Sequence, residues 1–280
     1  MSQQNERAGC DHPDEGPIST ADRSSSAVSG DAVVLANNCG LSCTYCGYPD
    51  AAVRPVDVPA LIDEASLLAK RSASPRRIVG KDPAEHPQFE AVLQSMLRYR
   101  SEVSVQSTGL ALHRERERWA ATQGVRWELP LCSARAEVHD RIVGRPGHHA
   151  IVTELLEDPR LAIVVNVLAV RDVLADGNLR ELTEYLRKIG RAFVVRLMTP
   201  RDSEDVTYYE SGIVEPSVLW QALGEALTPQ ELAGVVLDNV ECLPLCTLPE
   251  AQQGLYARAF ATDMGLDSPR AQTPSLAGLE

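Results

Sequence analysis

Apolar positions along the chain form short runs that alternate with stretches of helical spacing. Val33–Ala36 is a short apolar run. Leu61, Ile62, Ala65, Leu68 and Ala69 then recur at the spacing of one helix face, with Pro59 suited to the first turn. Arg77–Val79 reads as a strand, and Phe89, Val92, Leu93, Met96 and Leu97 as a second amphipathic helix. Val103–Gln106 is a strand, His113–Thr122 a helix, Val125–Leu131 a strand, and the segment after Pro146 a helix through Leu156. Leu161–Val170 is a continuous run rich in β-branched residues, which suits a strand buried on both faces. Over Asn178–Ile189 the side chains of Leu179, Leu182, Leu186 and Ile189 share a face, Glu184 precedes Lys188 by one turn, and Gly190 supplies a stop. Phe193–Met198 is the sixth strand, a helix follows near Pro216–Leu227, and Val235–Leu237 adds a further strand.

Strands separated by helical segments predict right-handed βαβ units on a parallel sheet. Six such units predict an α/β fold that curls most of the way round, a partial (β/α)6 TIM-like barrel, with its site at the C-terminal ends of the strands. The barrel is expected over residues 31–233, with a C-terminal extension over 234–266. Residues 1–30 and 267–280 are rich in small and polar residues, cannot offset the entropy of ordering, and read as disordered tails.

Directly after the first expected strand stands Asn38-Cys39-Gly40-Leu41-Ser42-Cys43-Thr44-Tyr45-Cys46. Three thiolates at this CxxxCxxC spacing can hold three irons of a four-iron cluster and leave the fourth iron open for chemistry. Electron-carrying clusters are usually saturated by four cysteines, and structural zinc sites pair two CxxC knuckles or add histidines. Neither pattern is completed nearby.

Composition narrows the class further. A length of 280 residues with 44% hydrophobic content allows one large α/β domain, and only 5% aromatics makes its core mainly aliphatic. A net charge of -12 weighs against a nucleic-acid partner, which needs a local excess of Lys and Arg. No apolar run approaches a membrane span, and no secretion signal opens the chain. Seven cysteines fit a reducing compartment better than a disulfide framework, so a cytoplasmic location is expected.

With these residues in place, the chain resembles the radical S-adenosylmethionine (radical SAM) superfamily over roughly residues 31 to 250. Cys39, Cys43, Tyr45 and Cys46 match its cluster motif. Val79-Gly80-Lys81-Asp82-Pro83 is similar to the family's GGEP segment, which meets the methionyl amino group of the cofactor. Lys81 stands where the family has a glycine, and Asp82 where it has a glutamate. Gln106-Ser107-Thr108-Gly109 is similar to the polar strand end that approaches the cofactor. Asn166 lies on strand five, where members approach the adenine or ribose. The segment from Leu129 to Gly147 looks like the strand-four loop of peptide- and metabolite-modifying members, with His139-Asp140 before an arginine- and glycine-containing turn.

The resemblance implies a [4Fe-4S] cluster on Cys39, Cys43 and Cys46, with S-adenosyl-L-methionine chelated to the open iron. It also implies an electron donor such as flavodoxin or ferredoxin, and reductive cleavage to a 5′-deoxyadenosyl radical that takes hydrogen from a substrate. Gly80, Asp82, Ser107, Thr108, Asn166 and Tyr45 are the implied cofactor contacts. Ser107 and Thr108 equally suit capping of the next helix. Arg141 or Arg145 can pair with the cofactor carboxylate or remain a solvated charge. His139-Asp140 looks like a dyad, although hydrogen bonds that fix the loop are the expected role.

Cys132, at a strand end facing the expected cavity, either returns a hydrogen atom to a product radical or is a small buried residue. Cys10 falls in the tail. Cys242 and Cys246 have no further cysteines after them for a second cluster and are expected to pack under the barrel. The substrate is a peptide or a small biosynthetic metabolite. A chain of this length is expected to lack a dedicated peptide-recognition domain, and a cobalamin domain before the barrel is not expected. The alternative from another class is a non-catalytic barrel whose cysteines hold zinc or a cluster for stability or sensing.

Overall fold

The computed structural model of the chain describes residues 28–29, 32–35, 39–46, 57, 59–61, 63, 77–198, 214 and 216–238. Both expected tails, apart from Val28–Ser29, lie outside these residues. So do most of the helix expected over Leu61–Ala69 and the cysteines Cys10, Cys242 and Cys246.

Eight described strands form one sheet in chain order: β1 (Val28–Ser29), β2 (Ala32–Val34), β3 (Arg77–Val79), β4 (Val103–Gln106), β5 (Val125–Pro130), β6 (Ile163–Leu168), β7 (Phe193–Met198) and β8 (Val236–Asp238). β1 pairs antiparallel with β2 as a hairpin, although composition placed Val28 and Ser29 in the tail. Each later neighbour pairs in parallel, from β2 through β8. The sheet is open, with β1 and β8 at its edges. This is the α/β, partial-barrel arrangement that the alternation predicts. β8 pairs with β7 in parallel and so continues the sheet.

Helix α1 (Phe89–Leu97) links β3 to β4. The expected helix over His113–Thr122 is two short ones, α2 (Leu110–Arg114) and α3 (Arg116–Ala120), broken where Glu115 leaves helical geometry at φ -113 and ψ 29. After β5 come α4 (Ala136–Val143) and α5 (His148–Glu157). α4 occupies a segment that reads as loop in the sequence. Its buried Val138 and Ile142 stand one turn apart, but Glu137, Asp140 and Arg141 between and beside them mask the period. α6 (Arg171–Leu174) and α7 (Asn178–Lys188) follow β6, and α8 (Pro216–Ala226) and α9 (Pro229–Ala233) precede β8.

Parallel register carries one face of the sheet into the core. Val105, Trp127 and Ile163 are register neighbours across β4, β5 and β6, and all are buried. Trp127 packs against Trp119 of α3 and Phe89 of α1, with ring centroids 5.4 and 6.2 Å away. Alternation then turns Arg126, Glu128 and Pro130 of β5 to the opposite face, where the strands of a curling sheet enclose their lumen.

Candidate active site

The loop that follows β2 carries Cys39, Cys43 and Cys46 to the C-terminal end of the sheet. The N–H of Leu35, just past β2, donates to the carbonyl of Val79 at 2.8 Å, which keeps the strand ends aligned before the loop departs. The loop then lies against the C-terminal end of α4. The N–H groups of Ser42 and Thr44 donate to the carbonyls of Val143 and Ile142 at 3.0 and 2.8 Å. Arg145 Nη1 donates to the Gly40 carbonyl at 3.1 Å, and Thr44 Oγ1 donates to Asp172 of α6 at 3.0 Å. The Cys46 N–H closes a turn onto the Cys43 carbonyl at 3.1 Å.

All three loop cysteines and Cys132 are free thiols. The Cys43 thiol is pushed up to about 11, first by burial and further by the neighbouring Cys46 and Cys39 thiols, against the Tyr45 hydroxyl that favours its thiolate. A buried thiol raised beside two others suits a cationic guest that stabilises its thiolate. Among the described residues no three His, Cys, Asp or Glu side chains form a group that could hold a single metal ion. A four-iron cluster would take the three cysteines on separate irons, at a wider spacing than a single ion needs.

Tyr45 keeps part of its surface exposed while its hydroxyl end is buried between the thiols of Cys43 and Cys132. Burial, followed by those two thiols, raises its phenol well above the ordinary value. Cys132 is 1% exposed just beyond β5, and burial pushes its thiol up to about 12. Sequence spacing alone did not place Cys132 beside the cysteine loop.

The Gly80–Asp82 segment follows β3. Gly80 has φ 125 and Lys81 has φ 51, so Lys81 holds a left-handed backbone that favours the glycine it replaces. Asp82 is fully buried. Ser107 Oγ donates to Asp82 Oδ1 at 2.9 Å, and Thr108 Oγ1 to Asp82 Oδ2 at 2.5 Å. Each hydroxyl in turn accepts a backbone N–H, from Gly109 at 3.0 Å and Leu110 at 3.3 Å, at the start of α2, as the capping role expected of them requires. Burial pushes the Asp82 carboxyl up to about 6, although both hydroxyls pull it down.

His139 and Asp140 each bond elsewhere rather than to one another. The Cys132 N–H donates to His139 Nδ1 at 3.1 Å. His139 Nε2 therefore carries the proton and donates to His148 Nδ1 at 2.8 Å, and His148 Nε2 donates to the Thr108 carbonyl at 2.9 Å. Burial, and then His148 and His149, lowers His139 to about 3, so the pair stays neutral. Asp140 accepts from the N–H groups of Gly147 and His149 at 2.5 and 2.8 Å and caps α5. Loop fixation by hydrogen bonds, the expected role, is what these contacts do. Arg141 is exposed on α4 and makes no ion pair among the described residues.

Sequence reading missed the network in the lumen. Glu128 Oε2 accepts from Arg77 Nη2 at 3.0 Å, Arg196 Nη2 at 3.2 Å and Asn166 Nδ2 at 3.1 Å, while Arg196 Nε donates to Asn166 Oδ1 at 3.0 Å. Burial raises the Glu128 carboxyl, but Arg77, Arg196 and Asn166 together hold it below its ordinary value. Asn166 thus finds its partners inside the protein. The available signal was a charged residue at alternate positions of two apolar strands, Glu128 in β5 and Arg196 in β7.

The fold is similar to that of solved structures of low sequence identity. Streptococcus suis SuiB bound to S-adenosylmethionine aligns with a TM-score of 0.57 at 14% identity, covering 80% of this chain and 53% of that one. SuiB bound to its precursor peptide SuiA aligns with a TM-score of 0.50 at 12% identity, covering 85% of this chain and 47% of that one. The chain therefore spans about half the length of these structures. No protein-family model and no curated protein matches the chain.

Proposed function

We propose that the protein is a radical SAM enzyme that acts on a peptide or a small biosynthetic metabolite. The observation that carries this reading is the Cys39–Cys46 loop, docked at the C-terminal end of the sheet with its three thiols free. Cys39, Cys43 and Cys46 would hold a [4Fe-4S] cluster. When bound, the cluster supplies the electron that cleaves S-adenosyl-L-methionine to methionine and a 5′-deoxyadenosyl radical, which abstracts substrate hydrogen.

The chain's own residues bind, orient and shield. Gly80 and Lys81 carry the chain through positive φ at the end of β3, and Asp82 anchors that segment to Ser107 and Thr108. Tyr45 sets its buried hydroxyl against the thiols of both Cys43 and Cys132. Cys132, buried there, would give a hydrogen atom to a product radical, and the electron donor would return the thiyl radical to the thiol with one electron and one proton. The lumen network of Glu128, Arg77, Arg196 and Asn166 presents a preorganised polar floor. SuiB in complex with a precursor peptide supports a peptide as the substrate, and flavodoxin or ferredoxin would supply the electron. No helix among the described residues is long and apolar enough to cross a membrane. A cytoplasmic setting would keep the thiols reduced.

The test is anaerobic reconstitution with iron and sulfide, reduction, and addition of S-adenosylmethionine. The expected outcome is 5′-deoxyadenosine release by the wild type and none by Cys43→Ala. Tightly bound zinc without cofactor cleavage would instead establish the non-catalytic metal-binding reading.

A further inference from the structure

The turn between α4 and α5 lies in close contact with the cysteine loop. Gly144 has φ +67, and a Cβ built there would lie 2.5 Å from the Ser42 carbonyl oxygen and 2.9 Å from Ser42 Cβ. Gly147, at the other end of the same turn, has φ +78 and nothing within 4 Å of its Cβ position. Both glycines therefore carry the same backbone demand, and only Gly144 carries a contact demand as well. Around Gly144, the carbonyls of Ile142 and Val143 accept the Thr44 and Ser42 N–H groups, and Arg145 reaches over to the Gly40 carbonyl. Gly40 itself has φ +65, and its Cβ position lies 3.3 Å from Arg145 Nη1. Asp140 holds the turn from the other side through Gly147 and His149.

We propose that this turn is a cradle for the cysteine loop, with Gly144 and Arg145 as the positioning residues that set the placement of Cys39 and Cys43. Every second residue from Gly40 to Thr44 is gripped: Gly40 by its carbonyl, Ser42 and Thr44 by their N–H groups. That leaves Cys43 between two pinned neighbours and Cys39 next to a third. A backbone grip at alternate residues fixes where the intervening side chains point without using any thiol. The segment that follows β5 thereby contributes to a site whose ligands all follow β2. The inference rests on the cluster reading given above.

The experiment compares full-length wild type, Gly144→Ala, Gly147→Ala and Arg145→Ala, each reconstituted anaerobically with iron and sulfide. Bound iron and sulfide, the electron paramagnetic resonance spectrum of the reduced protein, and the rate of iron loss to a chelator are measured. Thermal unfolding of the unreconstituted chains reports the strain. Gly144→Ala should lose iron about tenfold faster than Gly147→Ala, the scale on which supporting residues act on metal sites. Its spectrum should also be altered, and its apo form should unfold below that of Gly147→Ala, because the clash with Ser42 adds to the strain the two share. Arg145→Ala should shift in the same direction by a smaller factor, and it decides the matter if Gly144→Ala does not fold. Equal iron retention and identical spectra across Gly144→Ala, Arg145→Ala and Gly147→Ala would overturn the cradle. Wild-type protein that takes up no cluster overturns the functional reading, and the cradle with it.

Discussion

Asp82 has both carboxylate oxygens occupied by hydroxyls whose own acceptor sites are filled by backbone N–H groups. Those hydroxyl protons have one direction to point, yet burial still lifts the acid to about 6. An acid raised in the folded state binds more protons folded than unfolded between about pH 4 and pH 6, so its contribution to stability falls as pH rises through that window. The loss is on the order of 3 kcal/mol for a shift of about two units. Asp82→Asn cannot ionise, so urea unfolding at pH 4.5 and 7.5 should show the wild type losing stability relative to the variant at the higher pH. Parallel profiles would remove the buried acid from the account. At this scale the sequence was partly legible. The resemblance pointed to Asp82, Ser107 and Thr108, and the structure brings the three together. It could not indicate that Arg145 rather than Arg141 turns to the cysteine loop, because that depends on α4 being a helix that leaves Arg141 exposed.

Strands were the most legible elements, since a parallel sheet covered by helices needs apolar runs whatever its register. What the runs hid was their alternation. Val125, Trp127 and Leu129 face the helices, so the intervening Glu128 must face the lumen, where Arg77, Asn166 and Arg196 meet it from β3, β6 and β7. Three strands besides β5 thus converge on one carboxylate, a non-local arrangement that no single segment encodes. Glu128→Ala removes the carboxylate that two guanidiniums share in a largely buried setting. The expected cost is about 3–5 kcal/mol, the range for breaking a buried ion pair from one side. Chemical denaturation checks it, and a loss below about 1 kcal/mol would class the pair with exposed surface bridges. Helix ends were less legible than strands. Glu115 interrupts α2 and α3 inside a segment whose side chains all favour helix, because Trp119 must turn back onto Trp127 and Phe89.

Across the molecule, the sheet is open and its N-terminal edge is thinly held: β2 pairs with β3 over three residues and with the two-residue β1. The loop that leaves β2 nevertheless reaches elements that follow β5 and β6, through the α4 end and through Asp172. A sheet ordered β2-β3-β4-β5-β6 allows that reach only by curling until the ends of distant strands face one another. The cysteine loop is the strap across that opening, held by the packing of Leu41, Cys43 and Tyr45 on the core and, among the described residues, by two backbone and two side-chain hydrogen bonds to α4, Arg145 and Asp172, each worth about 1 kcal/mol. A guest on Cys39, Cys43 and Cys46 stabilises the strapped state and not the unfolded one, so loading and folding are linked. Anaerobic thermal denaturation should therefore place the reconstituted wild type several degrees above its apo form, as expected when about 1–2 kcal/mol is added to a chain of this size. Cys43→Ala, carried through the same reconstitution, should unfold where the wild-type apo protein does. A wild-type midpoint that does not move on loading would mean that the strap is already as tight without its guest, and that the N-terminal edge is held by contacts other than the cysteine loop.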